Sequence, residues 1–251
     1  MFEISKDTNT LICIGSGGVG KTTISASLGM GFAKQGKKVL VLTIDPSMRL
    51  AQTLSIKTDG ELHKVPTAFE NGELWSCVVN HQKVFDWFVS HAAEEKNQDE
   101  IKRLTQNRLY KQLCEKLSGS QDFTSLIALY KHSSSKKFDL IILDTPPSQH
   151  TWNFLRAPEK ISLLFNEGIA SWFRGGTESP SLFKKILNTG TVQVLKALEA
   201  LTGSEFMKEL SQFFIAIQKW QPNLEKFIFN CHFILTSNKT EFVLVTTLDN
   251  S

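Results

Sequence analysis

The stretch that decides the fold is Leu11–Thr23, which reads LICIGSGGVGKTT. Its first four residues are apolar, as in a buried parallel strand, and a glycine cluster follows them directly. Residues 21–34 then carry apolar side chains at helical spacing, and Gly36 ends that pattern. A second apolar run, Val39–Ile44, completes a strand–helix–strand unit. This order predicts the beginning of an α/β fold.

Within that stretch, residues 15–22 match the pattern G-x-x-x-x-G-K-[ST], between a strand and a helix as the pattern requires. Glycines let successive backbone N–H groups turn inward toward phosphate oxygens, and the positive end of the following helix reinforces them. Lys21 is predicted to neutralise the β- and γ-phosphates, and the hydroxyl of Thr22 to bind Mg²⁺. The predicted nucleotide-binding residues are Gly15, Ser16, Gly17, Gly18, Val19, Gly20, Lys21, Thr22 and Thr23.

A second element of this kind ends at Asp144. Four apolar residues, Leu140–Leu143, precede this acid, as in a strand whose terminal carboxylate holds Mg²⁺ through water. The loop glycines also satisfy G-x-G-x-x-G, and Asp45 stands where a dinucleotide fold places its ribose-binding acid. A dinucleotide site has no use for Lys21 and Thr22, and two phosphate–metal elements in order are more specific than one glycine pattern. The sequence therefore favours a nucleoside triphosphate, with a dinucleotide oxidoreductase as the alternative.

Asp45 has two interpretations. It is followed by Pro46, so it could cap a helix that begins with proline in its first turn. Alternatively, its carboxylate orients or activates an attacking water molecule. Because Asp45 ends a strand beside the one that feeds the glycine loop, we favour the catalytic role, and we assign catalysis to Lys21, Asp45 and Asp144.

Composition excludes several classes of protein. The 251 residues are 41% hydrophobic and 21% charged, which is ordinary for a folded globular chain. A net charge of +3 is too small to indicate a nucleic-acid partner. No apolar run approaches the roughly 18 residues that cross a membrane. The four cysteines are scattered without metal-binding spacing, and no signal peptide is recognisable, so we expect a cytoplasmic protein.

The remainder of the chain predicts two further strands, Leu74–Val79 and Phe242–Val245, separated by long helical stretches. Helical spacing recurs at 123–130, 206–217 and 224–231, and Gly and Pro mark a loop at 173–180. Nine of the 18 phenylalanines fall between positions 165 and 233. These aromatic residues either pack onto the sheet or line part of a groove for an apolar partner helix, and periodicity does not distinguish the two.

Three segments together resemble the phosphate loop and the two switches of the ArsA-like ATPases: Gly15–Thr23, Ile44–Pro46 and Asp144–Thr151. This family comprises arsenite-pump ATPases and relatives that target tail-anchored membrane proteins. Asn107–Tyr110, Gly119–Phe123 and Phe154–Pro158 resemble its bacterial, anion-transporting branch.

The resemblance implies a P-loop NTPase of the SIMIBI type with a deviant Walker A loop. It also implies a mostly parallel sheet flanked by helices, with a helical subdomain at about 81–135 and 152–235 of one domain spanning 1–251. It further implies ATP and Mg²⁺ as cofactors and a homodimer gated by nucleotide. Asp45 corresponds by position to the first switch, and Asp144 opens the second. The expected activity is ATP hydrolysis that gates an interaction with a membrane-protein or apolar partner.

The chain departs from the family pattern in three places. Ser16 occupies the position of a lysine that reaches the partner subunit's phosphates, which makes a nucleotide-binding switch with little turnover the alternative. No C-x-x-C is present and Cys114 stands alone, so arsenite transport is the weaker role. The chain also stops soon after the strand at 242–245, where the family continues, so we expect a fragment or a truncated gene.

Overall fold

The computed structural model describes residues 3–44, 49–54, 56–92, 106, 111, 121–145, 222–223 and 225–247. Several predicted features lie outside these residues: Asp45, the segment 146–151, Cys114, the loop at 173–180 and the helix at 206–217. The chain divides into two compact units, one of residues 1–87, 117–158 and 229–251 and the other of 88–116 and 159–228. The helical subdomain expected at about 81–135 and 152–235 stays a prediction.

The first unit contains a sheet in which the described strands follow the order β3-β4-β2-β5-β1-β6. Their bounds are β1 Thr10–Gly15, β2 Lys38–Thr43, β3 His63–Lys64, β4 Glu73–Val78, β5 Leu140–Asp144 and β6 Thr240–Val245. All neighbouring pairs are parallel except β3 with β4. The prediction of a mostly parallel α/β sheet is therefore confirmed, and β3 is a strand that the sequence did not predict, since two residues carry no periodicity.

The described helices are α1 Lys21–Lys34, α2 Arg49–Leu54, α3 His81–Ala92, α4 Gln121–Ser134 and α5, residues 225–236. Helix α1 has the bounds predicted from the sequence. The periodic segment 123–130 falls in α4, and residues 225–231 of the second periodic segment fall in α5. Helical spacing therefore predicted correctly a stretch rich in β-formers. In the second unit the rings of Phe88 and Phe227 pack together with centroids 4.7 Å apart.

One face of the sheet packs against α1. Alternate residues of the strands, such as Leu11, Val41 and Ile142, are fully buried in one cluster with the apolar side of this helix. Gly29 lies at a close approach of the helix to the sheet, because a Cβ added there would stand 2.6 Å from Cγ2 of Val41. This packing fixes the position of α1, and hence of the loop that precedes it.

The opposite face packs against α4, whose side chains Leu126, Ile127 and Leu129 are at most 1% exposed. Strand β6 is the outermost described strand on one side of the sheet, where it pairs with β1. It buries Val243 and Val245 on one side, whereas Phe242 and Leu244 on the other are exposed.

Because the long strands are parallel, the sheet has two chemically distinct edges. We call the edge where they end, at Gly15, Thr43 and Asp144, the carboxyl edge, and the edge where they begin the amino edge. Ligands of open α/β sheets bind outside the carboxyl ends of the strands. The candidate site therefore belongs at the carboxyl edge.

Candidate functional site

The glycine loop connects β1 to α1 at the carboxyl edge. Gly18 and Gly20 adopt left-handed backbone conformations, with φ of 81° and 91°, which residues with side chains rarely adopt. A Cβ added at either position would meet nothing within 4 Å, so the space beside both glycines is open. Helix α1 starts at once, with the N–H of Ile24 donating to the carbonyl of Gly20. The first N–H groups of a helix lack intrahelical acceptors, so this loop presents donors suited to an anion.

Lys21, the first residue of α1, turns its side chain back over the loop. Its Nζ donates to the carbonyl oxygens of Gly15 at 2.9 Å and Ser16 at 2.7 Å. The side chain is buried, with 7% exposure, so a cation is held where the loop carbonyls converge. The Ser16 residue itself is exposed. The structure therefore brings together the loop and the lysine that the sequence predicted as one site.

Asp144 ends β5 directly behind this loop, and it is only 1% exposed. The Thr22 hydroxyl donates to its Oδ2 at 2.8 Å, and the Thr43 hydroxyl donates to the same oxygen at 3.0 Å. The Ser25 hydroxyl lies 3.4 Å from Oδ1. A carboxylate buried without hydrogen-bond donors costs several kcal/mol, on the order of a whole domain's net stability. The hydroxyls therefore explain how the sheet tolerates an acid here.

Strand register explains why these groups meet. In the pairing of β2 with β5, Thr43 stands opposite Asp144. In the pairing of β1 with β5, Cys13 stands opposite the same residue. All three side chains point to the face that packs against α1, where Thr22 and Ser25 are one helical turn apart. The cluster is thus assembled from three strands and one helix.

Two further residues adjoin Asp144: Cys13 stands opposite it in the strand register, and Thr145 follows it in the chain. Burial raises the pKa of the Cys13 thiol to about 11, and the Asp144 charge adds to that shift although the Ser25 hydroxyl opposes it, so Cys13 is a neutral, unreactive thiol. Thr145 is 2% exposed, and its hydroxyl donates to the carbonyl of Cys13 at 2.6 Å. The segment after β5 is therefore tied to β1 at its first residue.

The structure brings the predicted residues Lys21, Thr22 and Asp144 together and adds Thr43 and Ser25, which sequence reasoning missed. A signal was present for both. Thr43 is a hydroxyl residue at the end of an otherwise apolar strand, and Ser25 follows Thr22 at i+3 on the helix. Their relation to Asp144 depends on strand order, which the motif did not specify. Asp45 lies outside the described residues, so its catalytic role stays a prediction.

Among the described residues, no group of three or more His, Cys, Asp or Glu side chains is placed to hold a metal ion. In the same part of the chain, no helix has the length and apolar character to cross a bilayer. The Thr22–Asp144 pair nevertheless fits Mg²⁺, because this ion takes few protein ligands and shares its shell with waters and phosphates.

A mostly parallel sheet, a glycine loop from its first strand into a helix, and an acid on the neighbouring strand together define an α/β P-loop NTPase fold. The sequence model of the anion-transporting ATPase family, ArsA_ATPase, matches residues 8–225. The chain belongs to this family. Its membership decides against the dinucleotide oxidoreductase.

Curated relatives carry the names of ATPases. The chain is 29% identical to "ATPase GET3" of Candida glabrata over 243 residues, covering 91% of this chain and 65% of that protein. It is 29% identical to "ATPase get3" of Aspergillus terreus, covering 79% of this chain and 54% of the relative. It is 30% identical to "ATPase ASNA1 homolog 1" of Paramecium tetraurelia, covering 69% and 54% respectively. The chain thus spans between half and two thirds of the length of these relatives.

Proposed function

We propose that this chain binds ATP with Mg²⁺ at the glycine loop and hydrolyses it. The observation that carries the proposal is the buried Asp144 carboxylate, which accepts the Thr22 hydroxyl 2.8 Å away immediately behind the loop. Family membership and the relatives' names, which are those of ATPases, support the choice of reaction.

Each residue of the site has a distinct role in this proposal. Backbone N–H groups of residues 15–23 bind the phosphate oxygens, and Lys21 exchanges its carbonyl partners for the β- and γ-phosphates. Thr22 and Asp144 hold Mg²⁺, the first directly and the second through water. When bound, the metal neutralises charge that develops on the phosphate groups. Asp45 positions the attacking water.

The phosphate released from ATP in the presence of Mg²⁺ tests this proposal. We expect turnover by the unmodified chain, with Asp45→Asn binding ATP as before but turning over at least about 100-fold more slowly, the scale of a lost catalytic base. An Asp45→Asn variant that hydrolyses ATP at the original rate would show that this acid is not catalytic. An unmodified chain that neither binds nor hydrolyses ATP would remove the proposed function itself.

Hydrolysis, in this proposal, times a conformational change that gates the interaction of a homodimer with a membrane-protein or apolar helical partner in the cytoplasm. The support is the resemblance of Asp144–Thr151 to a switch segment, together with the tie of Thr145 to β1 at its start. The buried free thiols Cys13, Cys77 and Cys231 fit a reducing compartment.

A nucleotide-binding switch with little turnover is the second candidate. Ser16 favours it, because an exposed neutral residue occupies the loop position where a lysine is expected. Measuring turnover over a range of protein concentrations separates the two candidates. Specific activity that rises with concentration supports a dimeric ATPase, whereas tight ATP binding without phosphate release supports the switch.

A further inference from the structure

Thr43 contributes a buried hydroxyl to the site from a strand that carries none of the loop. Its Oγ1 donates to Oδ2 of Asp144 at 3.0 Å, and each of the two residues is 1% exposed. Water that is excluded from such a pair does not compete for the carboxylate, and a hydrogen bond to a charged group is stronger than one between neutral groups. The direction of the Asp144 carboxylate is therefore set in part by β2.

The orientation of Asp144 in turn determines what Thr22 can bind. A threonine hydroxyl has one proton and two lone pairs. Thr22 gives its proton to Oδ2 of Asp144 at 2.8 Å, so its lone pairs remain available for a cation in front of the loop. Since Thr22 and Thr43 donate to the same oxygen, loss of the Thr43 donor lets that oxygen, and Thr22 with it, change direction.

Ser25 does not replace this contribution. Its hydroxyl lies 3.4 Å from Oδ1, a longer contact and on the other carboxylate oxygen. Thr43 also precedes Asp45 by two residues in the sequence. The strand that leads into the predicted water-positioning acid is therefore hydrogen-bonded to Asp144.

We propose that Thr43 is a positioning residue that, by orienting Asp144, sets the Mg²⁺ dependence of nucleotide binding. This inference rests on the proposed function of the loop as an ATP site. Thr43 touches neither nucleotide nor metal and acts through the carboxylate.

The test compares the affinity of a fluorescent, non-hydrolysable ATP analogue in excess Mg²⁺ and in EDTA, for the unmodified chain and for Thr43→Val and Thr43→Ser. Valine keeps the shape of the side chain and removes the donor, whereas serine keeps the donor. We expect Thr43→Val to lower the Mg²⁺-dependent gain in affinity about tenfold, the scale of one hydrogen bond to a charged group. Affinity in EDTA should change less than about twofold, and Thr43→Ser should restore the Mg²⁺ effect.

Thr10→Val is the matched control. Thr10 is also 1% exposed and lies in the same sheet, but its hydroxyl donates to the side chain of Asn9 at the amino edge. This variant should leave both affinities unchanged. If Thr43→Val does not fold, Thr43→Cys, with its weak donor, supplies the same comparison and should lose an intermediate part of the Mg²⁺ effect.

Two other outcomes overturn the inference in different ways. A folded Thr43→Val protein with the Mg²⁺ dependence of the unmodified chain removes the role of Thr43 and leaves the ATP site in place. An unmodified chain that does not bind the analogue in either condition removes the proposed function, and the role of Thr43 with it.

Discussion

The two edges of the sheet accommodate their polar side chains in different ways. At the carboxyl edge, Asp144 is buried and is satisfied by hydroxyl donors from a helix and a neighbouring strand. At the amino edge, Glu73 accepts from Lys64 at 2.5 Å and lies 3.3 Å from Lys38, with these side chains 35% to 53% exposed. The hydrogen bonds of Asp144 require the strand order that brings its donors together. The ion pairs of Glu73 instead join side chains that are partly exposed to water.

The electrostatics of the amino edge illustrate the difference. The Lys64 ammonium and the Trp75 indole N–H hold the pKa of Glu73 down to about 2. The Lys38 ammonium also lies 5.6 Å above the Trp75 ring. Exposed ion pairs contribute little to folding because water screens them, whereas a buried charge deprived of a donor is costly. The effects of substitutions at the two edges should therefore differ in magnitude and in the property that changes.

The largest difference is expected between two lysines. Lys21→Ala removes a buried cation from the glycine loop and should weaken ATP binding at least about 100-fold, as expected for a lost charge-assisted contact to phosphate. Lys38→Ala removes an exposed cation of the amino edge and should leave ATP affinity unchanged. Titration calorimetry measures both. Equal affinities for the two variants would place the nucleotide away from the loop.

A half-buried histidine of α4, His132, tests whether burial governs the size of an effect away from the carboxyl edge. Burial, aided by Lys131 and Lys137, lowers the pKa of His132 from 6.5 to about 4. As pH falls from 6.5 to 4, the unfolded chain binds this proton before the folded one does, so stability is lost over that window by as much as about 3 kcal/mol. Above pH 6.5 the histidine is neutral in both states and its effect on stability disappears.

The measurement is urea unfolding at pH 7 and pH 4.5 for the unmodified chain, His132→Gln and His232→Gln. His132→Gln should lose less stability between these two pH values than the unmodified chain does, because it lacks the half-buried imidazole that titrates in this window. His232 is exposed on α5, so its variant should follow the unmodified chain. The same pH dependence in all three proteins would contradict the role assigned to His132.

The packing that holds α1 at the carboxyl edge is tested with two glycines of that helix. Gly29→Ala places a methyl group 2.6 Å from Cγ2 of Val41 and should destabilise the fold by about 1–3 kcal/mol, the cost of overpacking. Gly31→Ala meets nothing within 4 Å and should stabilise it by about 0.5–1 kcal/mol, since alanine favours a helix. Urea unfolding at pH 7 gives both values, and effects of the same sign would contradict the close approach at Gly29.

The smallest effect is expected at Glu73. Glu73→Gln breaks exposed contacts of the amino edge and should shift the melting temperature by less than about 2 °C. Asp144→Asn is its buried counterpart at the carboxyl edge, where an amide would face hydroxyl donors, and should lower the melting temperature by several times more. Thermal unfolding followed by circular dichroism compares the two. Equal shifts in melting temperature for the two variants would show that burial of the carboxylate does not determine the size of the effect.

Much of the framework followed from local patterns. Apolar runs predicted β1, β2, β4, β5 and β6 to within a few residues, because buried parallel strands have few polar positions. Helical spacing predicted α1, α4 and α5. Strand β3 escaped prediction because it is two residues long and depends on its pairing with β4.

The sequence by itself determined the glycine loop, its lysine and threonine, and a second acid after an apolar strand, because phosphate and Mg²⁺ require these residue types at short, local spacing. Only the tertiary structure decided which groups surround that acid. Thr22 and Asp144 are 122 residues apart in the chain, and Thr43 and Asp144 are 101 apart. They meet because β5 lies between β1 and β2 in a register that aligns their carboxyl ends, and this order results from the packing of the whole sheet.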